Sequence, residues 1–484
     1  MSESSFQPPL SEPANRQELA RWIEQVLGLR IPSQALCPGH QSPLDFLARS
    51  FLPPSPDGPG GQDLLVWANR GGGKTMLAAV ASLLEGLYRR PVKIRILGGS
   101  FDQSDRLAEY LRDFLSREQL SDAVQGRMTH SRIRLAGQAD IRMLAQSQRA
   151  VRGQHVQKMR CDEVDLFDPA VWRALQFVTR SSGQSRGAVE VFSTLHRPGG
   201  LMDQLVQQAM ARAPGQGGFE LVKWCLWEVI QRCPSERNCA GCPLEEDCQG
   251  KARQADGFFG IDDAIAIKAR SSRSAWQAEM LCRGAKRDWA VFGEFDPAVH
   301  VGQVDYCPEW PVYRGIDLGY ANPSVCLWMQ TSPTGMVHVL REYARSHLTM
   351  EQLAVEIKGR DLGPVKESYI DPAGNARQST SGQACTAILR AGGVPCISRS
   401  STIAEGLELI RTALAPALGL PRLKVSPQCA GLIAAFAAYH YAEPSGGRFD
   451  ESPVKDGPDH YIDALRYFFV NHTHTAGKTK RKTY

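Results

Sequence analysis

Three groups of residues in this 484-residue chain are spaced for chemistry. In "ANRGGGKT", Ala68, Gly73, Lys74 and Thr75 fill the fixed slots of the phosphate-binding loop G-x-x-x-x-G-K-[ST], with alanine replacing the first glycine. Gly71, Gly72 and Gly73 let backbone N–H groups turn toward phosphate oxygens. Lys74 would reach the β- and γ-phosphates, and Thr75 would bind Mg²⁺. The second group is acidic: Asp317 in "GIDLG", Asp371 in "YIDP", and Asp459 and Asp463 in "DHYIDALRY". Carboxylates on adjoining elements can hold two Mg²⁺ or Mn²⁺ ions, one activating water and one stabilising the leaving oxygen of a phosphodiester. Each acid also has a plainer reading, Asp371 as a turn starter, Asp459 as a helix cap, Asp463 as a solvent-facing helix residue. Asp317 is the hardest to explain that way, because a carboxylate in a buried strand is costly unless paired or metal-bound. The third group is Cys233, Cys239, Cys242 and Cys248, spaced Cys-x5-Cys-x2-Cys-x5-Cys. Four such thiolates suit a structural zinc ion or a [4Fe–4S] cluster, and unmetallated thiols are the remaining reading.

The elements around these residues fit the chemistry. "DLLVWA" predicts an apolar strand running into the glycine loop, and "KTMLAAVASLLEGLY" the helix that follows. "VKIRIL" (92–97) predicts the next strand of a parallel α/β sheet. Downstream, "VQKMRCDEVDLFD" contains Asp162-Glu163, an acidic pair at a strand end, where the aspartate can hold Mg²⁺ through water and the glutamate can polarise the attacking water. "AVEVFSTLHRPGG" predicts another strand, ending in Ser193-Thr194, whose hydroxyls would sense the γ-phosphate. Gln41, upstream of the loop, is a candidate adenine-reading amide. From about residue 311 the pattern changes to three strands joined by tight turns, then alternating helix and strand, then a final helix. That is the order of a ribonuclease-H-like domain. Asp459 and Asp463, four apart, fall on one face of the last helix.

Composition is that of a globular protein, 43% hydrophobic and 22% charged. No apolar run is long enough for a transmembrane helix, and the N-terminus lacks the charged start and apolar core of a secretory signal. A cytoplasmic setting is therefore expected, in which clustered cysteines read as a metal site and the other nine of thirteen as small buried hydrophobes. The net charge of +5 neither demands nor excludes nucleic acid. Lys478, Lys480, Arg481 and Lys482 give a basic tail that either touches phosphates or is simply solvated.

Taken together, these motifs resemble the large terminase subunit of tailed double-stranded DNA bacteriophages, from about residue 35 to 470. "NRGGGKT" is similar to that family's variant phosphate loop, with Arg70 where the family often has arginine. "SQRAVRGQHVQKMRCDEVD" resembles its approach to the acidic pair, and Ser193-Thr194 correspond to its coupling motif. "WQAEMLC" and "VFGEF" resemble its interdomain link, and "DGPDHYIDALRY" its closing element. The resemblance implies an α/β protein, a P-loop (ASCE-type) ATPase domain with a mostly parallel sheet followed by a ribonuclease-H-like nuclease domain. It implies ATP-driven translocation of double-stranded DNA into a procapsid and metal-dependent cutting of concatemers, with Mg²⁺ or Mn²⁺ in the nuclease. It further implies a ring, of five subunits, on the portal protein in the host bacterial cytoplasm, a small terminase subunit as partner, and no membrane. Arg152 is the candidate arginine finger toward a neighbouring nucleotide, or else a tie between its loop and the acidic pair. The cysteine loop is similar to the iron–sulfur loop of endonuclease III-type DNA glycosylases, one residue shorter in its first arm, which favours [4Fe–4S] over zinc. It leaves open whether Cys225 replaces Cys233, and whether Lys251 and Arg253 touch DNA. The domains expected are a lead (1–35), ATPase (36–221), cysteine insertion (222–260), link (261–307), nuclease (308–470) and tail (471–484). Two rivals are a cellular iron–sulfur helicase-nuclease for DNA repair, which would need further helicase motifs, and a nuclease-dead scaffold docked on the portal.

Overall fold

A computed structural model describes the chain apart from residues 1–5, 54–62, 100, 184, 196–199, 213–216, 284–289, 377–382, 443–451 and 479–484. Of the basic tail, Lys480, Arg481 and Lys482 lie outside the described residues. The chain divides into two compact units, Met1–Ile267 with Ala275–Lys286, and Lys268–Ser274 with Arg287–Tyr484. The expected link at 261–307 is thus not a separate piece, since its segments fold alternately with the two units.

The first unit is built on seven strands: β1 (Leu64–Ala68), β2 (Lys93–Gly98), β3 (Arg132–Leu135), β4 (Ala139–Leu144), β5 (Lys158–Asp162), β6 (Ala188–Ser193) and β7 (Glu220–Trp224). Their spatial order is β3-β4-β2-β5-β6-β1-β7, and every neighbour pair is parallel except β3 with β4. β7 carries this sheet past residue 221, so the insertion begins later than its expected edge. β6 lies between β1 and β5, with Trp67 opposite Ser193 and Asp162 opposite Phe192. The carboxyl ends of those three strands therefore meet, the place where open parallel sheets bind ligands.

The helix Lys74–Tyr88 is apolar nearly all round, and its residues from Leu77 to Leu87 are buried. The predicted lead is partly core: the helix Arg16–Leu27 starts on an Asn15 cap and buries Leu19, Trp22 and Ile23 in the same hydrophobic cluster. The Trp22 indole N–H donates to the Tyr88 hydroxyl at 2.8 Å, tying that helix to the end of Lys74–Tyr88.

In the second unit, β8 (Val312–Asp317), β9 (Ser324–Thr331), β10 (Val337–Arg345), β11 (Val365–Ile370), β12 (Cys396–Ile397) and β13 (Leu423–Val425) take the order β12-β11-β8-β9-β10-β13. β8, β9 and β10 are antiparallel neighbours, as their tight turns predict, whereas β11 pairs parallel with β8. β13 adds a parallel edge to β10 that the sequence did not suggest. The helix Asp459–Lys478 packs across β8, β9 and β11. Gly315 permits this approach: a Cβ there would lie 2.1 Å from the Ala464 carbonyl oxygen. No described helix in either unit is long and apolar enough to cross a membrane.

Candidate functional site

The phosphate loop follows directly from β1. Gly71 and Gly73 adopt left-handed backbone (φ 73° and 83°), a conformation glycine takes without penalty. Gly72 is restricted by space instead, as a Cβ would come within 2.5 Å of the Asn69 side-chain oxygen. The Trp224 indole on β7 donates to the Gly72 carbonyl at 3.0 Å, fixing the loop from the neighbouring strand. Lys74 Nζ is buried and donates to the carbonyls of Ala68 (3.3 Å) and Asn69 (3.1 Å) and to Thr194 Oγ1 (2.9 Å). Thr75 Oγ1 donates to Asp162 Oδ2 at 2.8 Å. Residues from three strand ends, Lys74-Thr75, Asp162 and Thr194, are thereby joined through direct hydrogen bonds.

The acidic pair has the features of a cation site. Asp162 Oδ1 is buried without a hydrogen-bond partner among the described residues. Burial first, then the Glu163 charge, pushes the Asp162 carboxyl up to about 6. An orphaned buried carboxylate oxygen beside a threonine hydroxyl fits a divalent ion held with nucleotide phosphates. Glu163 is held in left-handed backbone (φ 55°), a strained state for glutamate of the kind that clusters at functional sites. Ser193 Oγ is 3.4 Å from Glu163 Oε2 and also reaches the Thr194 carbonyl.

Beneath the pair, β5 carries Lys158 and Arg160 into the core. Arg160 pairs with Glu85 (2.9 Å) and Glu190 (3.0 Å), and Lys158 reaches both acids at 3.1 Å. Ser50 and Ser82 complete the hydrogen bonding. The network links the loop helix, the acidic-pair strand and the Ser193-Thr194 strand, whose carboxyl ends it thereby holds in register.

The remaining nucleotide-site candidates are less engaged. Arg70 and Arg152 are exposed. Arg152 lines a cleft of about 440 Å³ with His155, Arg173 and Phe177, a residue 81% exposed. Gln41 is clamped to β7: its backbone N–H donates to the Lys223 carbonyl, and its side-chain oxygen accepts from Lys223 N, both at 2.8 Å. With that carbonyl engaged, its NH₂ group is what Gln41 could offer a base.

The cysteine loop folds through short turns. Cys242 N donates to the Cys239 carbonyl and Cys233 N to the Ala252 carbonyl, both at 2.8 Å. Arg253 Nη2 donates to Cys239 Sγ at 3.6 Å and lies near Cys233 and Cys248, while Arg237 lies near Cys242 and Cys233. Four half-buried thiols thus gather around two guanidinium groups. Lys251 and Arg253 are turned toward the loop's own carbonyls, including those of Asp247, Cys248 and Arg237. Cys225 stands apart, buried with its Sγ 3.7 Å from that of Cys37, so it is placed with a different partner. The returning arm of the insertion brings Phe258 and Phe259 onto the phosphate loop. Their ring atoms would lie 3.2 and 2.8 Å from Cβ atoms built at Gly73 and Gly71.

In the second unit, Asp317 at the end of β8, Asp371 just past β11, and Asp463 on the last helix come together. Burial first raises the Asp317 carboxyl to about 6, with Asp463 and Asp371 adding to the rise and His460 opposing it. His460 Nδ1 is hydrogen-bonded to Asp317 Oδ2 at 2.9 Å. The Tyr467 hydroxyl donates to Asp371 Oδ2 at 2.8 Å, and Arg466 Nε donates to Asp463 Oδ1 at 2.8 Å. Burial and then the charges of Asp463, Asp317 and Asp371 push the Tyr467 hydroxyl's pKa up. Asp459 opens the helix and accepts from Gly457 N at 2.9 Å, closing the turn before it. His460, Arg466 and Tyr467 were not singled out in the sequence. Their signal was helical spacing, because 460, 463 and 467 recur at i, i+3 and i+7 on one face. Three carboxylates, two of them buried, gathered at strand and helix ends are a donor set suited to hard divalent cations.

No protein-family model and no curated protein sequence matches the chain. Among solved structures, it is similar to the large terminase of a thermophilic bacteriophage, at 16% identity and TM-score 0.49, over 88% of this chain and 98% of that one. It is also similar to the large terminase of bacteriophage HK97, at 12% identity and TM-score 0.37, over 94% and 99%. The Mn-bound nuclease domain of the large terminase g2p from bacteriophage SPP1 matches 34% of this chain and 86% of that one, at 14% identity and TM-score 0.27.

Proposed function

We propose that this chain is an ATP-driven double-stranded DNA translocase with a metal-dependent endonuclease, acting as a large terminase subunit that fills a procapsid and cuts concatemeric DNA. The observation that carries the reading is the pairing, in one chain, of two different cation-ready acid sites. One is the Thr75–Asp162 contact with its orphaned oxygen beside a phosphate loop. The other is the Asp317, Asp371 and Asp463 group on a mixed sheet.

In the first site Lys74 leaves its loop carbonyls to neutralise phosphate oxygens, and Thr75 with Asp162 holds Mg²⁺. Glu163 orients water and accepts its proton. Ser193 and Thr194, bonded to Glu163 and Lys74, report the phosphate's presence to β6. Arg152, exposed beside Arg173, serves a neighbouring subunit in a ring of five on the portal, with a small terminase subunit choosing the DNA. Gln41 and Arg70 line the nucleotide's approach. In the second site Asp317, Asp371, Asp463 and Asp459 hold Mg²⁺ or Mn²⁺, which supplies Lewis-acid stabilisation of the scissile phosphate. His460 orients Asp317 and Tyr467 orients Asp371. The work takes place in the host bacterial cytoplasm, transiently at the portal vertex.

The four-cysteine loop binds a [4Fe–4S] cluster in preference to zinc. The support is the spacing Cys-x5-Cys-x2-Cys-x5-Cys, with four half-buried thiols gathered around Arg237 and Arg253. The cluster's role is to fold the arm that delivers Phe258 and Phe259 to the phosphate loop.

Lys74→Ala and Asp317→Ala test the reading in the purified full-length chain. The first should abolish ATP hydrolysis and leave Mn²⁺-dependent plasmid cutting, and the second should do the reverse. Loss of both activities in either variant, or of neither, contradicts two separate sites.

A further inference from the structure

A second cluster of thiol, imidazole and carboxylate groups lies in the first unit. Cys37, His40, Cys225 and Glu228 offer ligand atoms within 4.8 Å of one another, the one group of three or more such residues among those described. The residues come from two segments far apart in sequence, each a tight turn with ends three residues apart: His40 N donates to the Cys37 carbonyl and Glu228 N to the Cys225 carbonyl. Cys-x2-His and Cys-x2-Glu turns of this kind present two donors from one short backbone arc. Cys225 and Glu228 are each 1% exposed, whereas Cys37 and His40 are half-buried.

The geometry suits zinc. The Cys37 and Cys225 sulfurs are 3.7 Å apart. Two thiolates on a tetrahedral ion with bonds of about 2.3 Å span about 3.8 Å. His40 Nδ1 is 2.9 Å from Glu228 Oε2, a carboxylate–histidine contact of the kind that orients zinc-binding imidazoles. Glu228 is itself saturated. Oε1 accepts from Leu36 N and Cys37 N, and Oε2 from Cys225 N besides His40, filling the roughly four lone-pair positions of a carboxylate. It is therefore a positioning residue that anchors both turns and the His40 ring. Lys223 lies near the same cysteines and Glu228.

We propose that Cys37, His40 and Cys225 bind one zinc ion, with Glu228 orienting the site, and that this ion is separate from whatever the four-cysteine loop holds. The site rivets residues 36–41 to the end of β7, beside the Gln41–Lys223 pairs and one residue from Trp224, which holds the phosphate loop. It does not depend on the packaging reading.

The test uses the full-length chain carrying Cys242→Ser, to disable the loop, after zinc loading and removal of loosely bound metal. Elemental analysis should find about one zinc per chain, and adding Cys37→Ser should remove it. Glu228→Gln should keep zinc at saturation but weaken its binding by about 10–100-fold. Fewer than about 0.2 zinc per chain in Cys242→Ser overturns the site, provided its circular dichroism matches wild type. Should that variant misfold, alkylation of wild type decides. Half-buried Cys37 should resist iodoacetamide until a strong zinc chelator is added. Equal labelling of Cys37 with and without chelator overturns the proposal.

Discussion

Asp317→Asn should make the metal-free protein more stable while removing its response to Mn²⁺. Asp317 is 7% exposed, and burial among Asp463 and Asp371 lifts its carboxyl from the ordinary 3.8 to about 6. A shift of about two units corresponds to about 3 kcal/mol. The sign follows from proton linkage. The folded state holds the proton between about pH 4 and 6 where the unfolded state does not, so stability is lost as pH rises through that window. An amide carries no such cost. It weakens the bond from His460, for about 1 kcal/mol, leaving a net gain of about 2 kcal/mol above about pH 6 and little gain below about pH 4. For a unit of roughly 200 residues that is a rise of about 4–8 °C in melting temperature, read by scanning calorimetry of the full chain in chelator at about pH 7.5. With Mn²⁺ at about 100 times its dissociation constant, wild type should gain about 2.7 kcal/mol and overtake the variant. A variant less stable than wild type in chelator, or one equally stabilised by Mn²⁺, would refute the assignment of Asp317 as a metal-holding buried carboxylate.

Further outcomes are expected at the other sites. Glu163→Gln should lower ATP turnover by about 10²–10⁴-fold while nucleotide binding, read by fluorescence titration, persists. Arg160→Met should cost about 3–5 kcal/mol in urea denaturation, because Glu85 and Glu190 lose their partner in the core. The same network predicts acid sensitivity. Burial opposes it, but Arg160 and Lys158 hold the Glu190 carboxyl down to about 2, so its stabilising share is present above the unfolded value of 4.5 and lost as pH falls toward 2. Cys242→Ser should weaken ATP binding as well as lower melting temperature, since the insertion's returning arm seats Phe258 and Phe259 on the loop glycines. Unchanged ATP affinity with a lowered melting temperature would confine the insertion to stability.

Much of this was legible where chemistry and local structure coincide in a short stretch. The phosphate loop carries its own strand, glycines and helix in sequence, and the antiparallel strands of the second unit announce themselves through tight turns. β5 was harder to read, because "KMRCD" looks polar, yet all five residues are buried. Lys158 and Arg160 enter the core only because Glu85 and Glu190 await them from another helix and strand, and no local pattern records that pairing. Gln41 was legible as a polar residue near the loop, but its clamp to Lys223 depends on β7 lying beside β1. The Cys37 and Cys225 pair was invisible for the same reason. Cys37 reads alone as a small buried hydrophobe and Cys225 as an alternative to Cys233 in the loop, and only the fold brings the two turns together. On the last helix, Asp459 and Asp463 stood out as acids, whereas His460 and Tyr467 gain meaning from strands that end opposite them.

DNA packaging itself is the most direct test of the account. Purified chain, procapsids bearing the portal, ATP and concatemeric DNA would be mixed, and nuclease-resistant DNA measured with wild type, Glu163→Gln and Asp317→Asn. Wild type should protect a capsid-length of DNA and Glu163→Gln none. Asp317→Asn should protect pre-cut linear DNA but leave concatemers uncut. Protection by Glu163→Gln equal to wild type, or normal cutting by Asp317→Asn, would contradict the two-site translocase and nuclease.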